Sequence, residues 1–225
     1  MTAAGPSTGP LRVALTFDAE HPDRPHRPGV AAGLLDVLTE RRVLSTWFLQ
    51  GRWVEAEPSL ARRVGDDGHL VGNHSFYHVR LPLLTDAGLA TDIGAAEQVI
   101  RDVVGVDPRP WFRCPFAAGA DDQRVLGILA ERGYRDVGAD VVLDDWEPAR
   151  SGPLLLADTL RDVPAVGDGA VVLLHARPPG TLDALPGIID GLRALGATFV
   201  RIDELERFAL TTEPGAAASA PRTAS

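Results

Sequence analysis

No lysine occurs anywhere in the 225-residue chain; all 22 basic side chains are arginine. That absence excludes Schiff-base chemistry, the lysine of phosphate-binding loops and lysine general bases. The single cysteine, Cys114, excludes an intramolecular disulfide, a four-thiolate zinc site and an iron–sulfur cluster, so any metal must be held by nitrogen and oxygen. Positive charge is in deficit, with a net charge of −9, and nothing offers the broad cationic face that duplex nucleic acid or anionic lipid requires. Neither nucleic acid nor membrane is expected as a partner, and the sequence carries no readable signal of oligomeric state. Apolar runs such as 170–174 are far shorter than the roughly 20 residues needed to cross a bilayer. The first dozen residues have no basic head and no continuous apolar core, so a secretory signal is not expected and a cytoplasmic location is. Glycine-rich nucleotide loops are missing as well: Gly65, Gly68 and Gly105 follow helical segments rather than opening them.

What is present is an ordinary globular composition, 45% apolar and 24% charged, in a length that suits one large domain. Residues 1–10 and 211–225 are rich in Ala, Ser, Thr, Gly and Pro without periodicity and are expected to be mobile tails around a domain at 11–208. Between them, short β-branched runs at 11–17, 44–49, 69–73, 110–114, 135–139, 170–175 and 198–202 read as strands. Segments of helical period at 29–41, 58–67, 86–104, 123–132, 153–162, 182–195 and 203–208 alternate with them. Seven strand–helix repeats predict an α/β fold, a distorted parallel (β/α) barrel with about seven strands.

In such a barrel chemistry sits at the carboxyl ends of the strands. Five of these runs end in reactive residues: Asp18-Ala19-Glu20, His74 to His78, Arg113 to Phe116, Asp144-Asp145-Trp146 and His175. His74 and His78, four apart, stack two imidazoles on one face if the segment is a helical turn, within reach of one cation. Asp18 and Glu20, two apart at a strand end, share a face, so one carboxylate can ligate while the other stays free as a base. Each feature has an ordinary alternative. Asp18 can cap a turn, Asp144 and Asp145 can be a solvated turn, Arg113 a salt-bridge partner, Trp146 core, and His175 a buried histidine bonded to backbone. Their joint occurrence, in order, at successive strand ends favours a site.

Taken in that order the residues resemble the polysaccharide deacetylases of the NodB-homology type, carbohydrate esterase family 4, over roughly 11–208. His74-Ser75-Phe76-Tyr77-His78 is similar to the family's H-S/T-x-x-H metal motif, Arg113-Cys114-Pro115-Phe116 to R-x-P-F/Y, and Leu173-Leu174-His175 to L-x-H. The resemblance implies that His74 and His78 bind a divalent metal, zinc foremost with cobalt, nickel or iron as alternatives, and that Ser75 braces their loop. It implies that Arg113 orients the catalytic Asp18 and that His175 protonates the leaving amine. Leu173, Phe116, Trp146 and Tyr77 would contact the substrate. Two motifs depart from the pattern. Where the family has T-F-D-D-G, Ala19 stands in place of the second aspartate, and Glu20 is the expected third ligand; where it has D-x-x-D-W, Val142 replaces the first aspartate, leaving Asp145 to tune His175. The implied activity is metal-dependent removal of an acetyl group from an N-acetylated amino sugar or related amide. The altered first motif keeps two alternatives open: a hydrolase of another C–N bond, such as a cyclic imide or ureide, and a catalytically silent carbohydrate-binding homologue.

Overall fold

A computed structural model describes residues 11–24 and 27–208; the expected tails at 1–10 and 211–225 lie outside them. In chain order the elements are β1 (Leu11–Ala19), α1 (Val30–Glu40), β2 (Thr46–Leu49), α2 (Gly51–Ala56), α3 (Pro58–Asp66), β3 (Leu70–Asn73), α4 (Asp86–Val104) and β4 (Trp111–Phe112). There follow α5 (Gln123–Glu131), β5 (Arg135–Asp136), β6 (Val141–Val142), α6 (Gly152–Val166), β7 (Ala170–His175), α7 (Pro179–Ala194) and β8 (Ala197–Phe199). All strand pairings are parallel, in the order β5-β4-β3-β2-β1-β7-β6, with β8 alongside Leu11–Val13 of β1. No pairing joins β5 to β6 among the described residues, so the sheet curls into a barrel that stays open at that seam. The expected α/β barrel is therefore the fold, with seven strands in its curled path.

The alternation along β1 sets up everything that follows. Val13, Leu15, Phe17 and Ala19 point outward into one apolar cluster with Leu34, Leu35, Leu38, Trp47, Leu185, Ile188 and Ile189. Ala14 points inward, into a second cluster with Phe48, Trp111, Val137, Val171 and Ile202 that fills the barrel. Side chains two apart on a strand share a face, so the inward series continues through Thr16 and Asp18 toward Glu20. The strand ends are level: Asp18 is in register with Phe48 on β2 and with His175 on β7, and Asn73 at the end of β3 is in register with Leu49 and Phe112.

Several elements differ from the sequence reading. The short strand β6 and helix α2 were not expected; the first has two residues and the second six, opening on a glycine, and neither is long enough to show a period. The helix expected at 203–208 is two 3-10 turns, Ile202–Glu204 and Glu206–Phe208. Helix α6 runs on past 162 through Pro164 to Val166, and α7 begins three residues earlier than expected, with Pro179 in its first turn, where a missing N–H costs nothing.

Candidate active site

Asp18 projects from the end of β1 into the barrel mouth. Its Oδ1 accepts from Arg113 at 2.9 Å. The same guanidinium donates to Thr16 Oγ1 at 2.8 Å and to the Val137 carbonyl at 3.0 Å, and lies 4.1 Å over the Phe48 ring. Arg113 is thus fixed from four directions, and Asp18 inherits that rigidity. Its other oxygen, Oδ2, faces His74 Nε2 at 3.5 Å.

The segment after β3 is a loop, not the helical turn that the spacing of His74 and His78 suggested. Ser75 and His78 both adopt positive φ, 64° and 56°, a conformation unusual for non-glycine residues that here folds the two imidazoles back on each other. Their ring centroids are 4.8 Å apart. A dense set of bonds holds this turn. Asn73 Oδ1 accepts from the Ser75 N–H at 2.8 Å, and Ser75 Oγ accepts from the His78 N–H at 3.0 Å. The buried Asp92 of α4 accepts from the N–H groups of Phe76 and Tyr77 at 3.0 and 3.1 Å. Ser75 braces the loop as expected; Asn73 and Asp92 were not anticipated, because nothing local in a sequence marks an acidic residue on a long helix as a loop anchor. The same turn directs Tyr77 away: the residue is 60% exposed, its ring packs against Phe76, and it does not line the cavity with the other expected substrate contacts.

Glu20, His74 and His78 converge, each offering one donor atom within 4.8 Å of the others. Glu20 Oε2 lies 3.4 Å from His74 Nε2 and in contact with His78 Nε2. Ala19, wholly buried, faces the helices, while Glu20 faces the cavity. His74 Nδ1 is 2.8 Å from the Arg113 carbonyl, which can only accept, so Nδ1 carries the proton. In the neutral imidazole Nε2 is then a lone pair, buried without a hydrogen-bond partner and facing two carboxylates. Two carboxylates and two imidazole nitrogens crowded on one point fit a cation, and the second-nitrogen bond of His74 to a carbonyl is the usual outer support of a metal-ligating imidazole. Although burial works against the charged forms, Asp18 and Glu20 raise the pKa of His74, and the two imidazoles hold Glu20 well below the ordinary carboxylate range. Burial pushes His78 down.

Across the mouth, at the end of β7, His175 Nδ1 is 2.6 Å from Asp145 Oδ1. Asp145 Oδ2 accepts from the His175 N–H at 2.8 Å and from Thr181 Oγ1 at 2.6 Å. Burial disfavours a charged His175, but the adjacent Asp145 outweighs it and the pKa rises to about 9. With Nδ1 committed to Asp145, Nε2 is the nitrogen left to face the cavity. Trp146 sits edge-on to His175, ring centroids 5.0 Å apart. Between these two groups lies a cavity of about 580 Å³, lined by Asp18, Glu20, His74, His78, Arg113 and His175 on its floor and by Phe116, Val142, Trp146 and Leu173 on its walls. Cys114 also lines it, but burial pushes its thiol pKa far up, so it offers no thiolate.

A protein-family model for polysaccharide deacetylases matches residues 5–137. The chain belongs to the polysaccharide deacetylase family. It is 30% identical over 194 residues to the peptidoglycan-N-acetylmuramic acid deacetylase PdaA of Bacillus subtilis, covering 86% of this chain and 70% of that protein. It is 30% identical over 200 residues to a chitooligosaccharide deacetylase of Azorhizobium caulinodans, covering 82% and 89%. A family 4 carbohydrate esterase from Streptomyces lividans, solved in complex with acetate, superposes with a TM-score of 0.73 at 30% identity, covering 84% of this chain and 91% of that one. The chain is accordingly a hydrolase of carbon–nitrogen bonds other than peptide bonds. No helix among the described residues is long and apolar enough to cross a membrane.

Proposed function

We propose that the chain is a divalent-metal-dependent N-deacetylase acting on N-acetylated amino sugars. The observation that carries this reading is the meeting of Glu20, His74 and His78 at one point, with Asp18 on one side and His175 on the other. One carboxylate and two imidazoles would hold zinc, with cobalt, nickel or iron also suited to the donor set, and the cation supplies Lewis-acid activation of water and polarisation of the acetamide carbonyl.

The remaining chemistry belongs to the side chains. Asp18, anchored through Oδ1 by Arg113, has Oδ2 free to accept the proton of the attacking water. The C–O bond forms as the carbonyl oxygen takes up negative charge, and the backbone N–H beside Phe116 is the candidate donor to it. His175 then delivers the proton at Nε2 to the nitrogen as the C–N bond breaks, since an amide anion is too basic to leave unaided. Asp145 keeps that imidazole charged and correctly turned, as a buried carboxylate does for a catalytic histidine. Leu173, Phe116 and Trp146 would border the acetyl group and sugar ring. The relatives, named as deacetylases of peptidoglycan sugars and of chitooligosaccharides, support an N-acetylated glycan as the substrate class.

The test is release of acetate from N-acetylated chitooligosaccharides and peptidoglycan fragments by zinc-reconstituted protein, with cyclic imides and ureides assayed in parallel. Acetate release supports the reading. Ring opening without acetate release transfers the site to another C–N bond, and zinc binding with neither activity leaves a silent carbohydrate-binding homologue.

A further inference from the structure

The proposed function leaves one built feature beside the ligands unused. His21, next in sequence to Glu20, adopts φ 52° and has its backbone N–H bonded to Gln50 Oε1 at 2.8 Å. Gln50 is itself buried, and its N–H donates to the Ala19 carbonyl at 3.0 Å. Residues 19 and 21, on either side of Glu20, are therefore both tied to one glutamine. The His21 ring lies edge-on to His78, centroids 4.4 Å apart, and its Nε2 is buried without a hydrogen-bond partner. Glu20 Oε1 lies 3.5 Å from that nitrogen. Glu20 thus divides its two oxygens: Oε2 faces His74 and His78, and Oε1 faces His21.

We propose that His21 is a positioning residue for the cation site, holding the Glu20 carboxylate by Oε1 so that Oε2 is presented to the cation. The inference rests on Glu20 being a ligand. A glutamate has one more rotatable bond than an aspartate, and here it stands just past the end of a strand, so its carboxylate needs an outer support to keep one geometry. A proton on Nε2 would let the imidazole close the 3.5 Å gap to Oε1 and supply that support. A left-handed backbone, costly for histidine, is what turns the ring back over the residue before it.

Two substitutions test this. His21→Asn tolerates the left-handed backbone but is too short to reach Oε1, whereas His21→Gln carries an N–H near the position of Nε2. Zinc affinity is measured by chelator competition, and the cobalt-loaded protein by its visible spectrum. His21→Asn is expected to weaken zinc binding by about 10- to 100-fold, the usual effect of losing an outer-shell partner. His21→Gln is expected to recover most of that loss, with cobalt band energies unchanged in both. Unaltered zinc affinity in His21→Asn overturns the inference. Cobalt bands displaced in both variants also overturn it, because His21 would then be a ligand itself. If Glu20→Gln weakens zinc binding and His21→Asn does not, only this inference falls; if Glu20→Gln leaves affinity unchanged, the assignment of Glu20 fails and this one with it.

Discussion

Asp18 and His175 stand in register on adjacent strands yet answer to different partners, an arginine and an aspartate, and this difference suits them to the opposite duties proposed for them. Asp18→Asn removes a proton acceptor but no cation ligand. It is expected to lower acetate release by about 10²- to 10⁴-fold, the usual range for a positioned base, while zinc affinity measured by chelator competition stays within a few-fold. His74→Ala should lose both. The His175–Asp145 pair makes a pH prediction. The folded-state pKa of His175 is raised to about 9, so its donor form, and the stability of the pair, is fully present below the ordinary histidine value and is lost as pH rises through about 9. The alkaline limb of the rate profile should therefore lie near 9, and Asp145→Asn should move it toward more acidic pH, since burial alone disfavours the cation. A limb unmoved by Asp145→Asn would show that another group titrates there. At this scale the sequence was informative wherever a residue meets its partner through strand ends: Asp18, Arg113, His74, His78 and His175 all fall at one mouth. Gln50, Asp92 and Thr181 were silent, because each acts on the site through a contact from another element, and nothing in their own neighbourhoods marks it.

At the scale of elements, helices α1, α3, α4 and α5 were read to within one residue at each end, α4 and strand β7 without error, because burial of one face enforces the period that was counted. Misreadings cluster where an element is too short to have a period, as in α2 and β6, and at the ends of α6 and α7, where Pro164 and Pro179 lie beyond the expected bounds. The loop that carries His74 and His78 was misjudged for a related reason. An i, i+4 spacing fits a helical turn, but two left-handed residues bring the same rings together in a loop, and left-handed histidine and serine leave no trace in a sequence. Strand β3 supports that loop from below, and Gly72 within it has room for nothing more: an added Cβ would meet the buried Phe48 ring at 2.6 Å and Trp111 Cβ at 3.1 Å. Gly72→Ala is expected to destabilise the fold by about 1–3 kcal/mol, as overpacking does, read as a lowered Tm. Asp122 caps α5, accepting from the N–H groups of Arg124 and Val125 at 2.9 and 3.2 Å. Asp122→Ala should cost about 1 kcal/mol of stability and leave zinc affinity untouched, which separates scaffold effects from site effects.

For the molecule as a whole, the open parallel barrel brings β1, β3, β4 and β7 to one rim, so that residues from Asp18 to His175 share a cavity although the strands β2 to β6 and the helices α1 to α6 lie between them in the chain. Strand parity then decides which of two neighbouring positions reaches that cavity, and it selects Glu20 over Ala19. A site assembled this way should couple cation binding to the fold. Zinc at about 100 times its Kd is expected to stabilise the folded chain by about 2.7 kcal/mol, with a matching rise in Tm that Glu20→Gln diminishes. The central claim is that one bound cation in the Glu20, His74, His78 cluster makes this barrel a deacetylase. Its most direct test is to titrate chelator-stripped protein with zinc while following bound metal per chain and acetate release from an N-acetylated chitooligosaccharide together. The account predicts that both rise in proportion and level off at one zinc per chain; full acetate release by protein stripped of metal would contradict it.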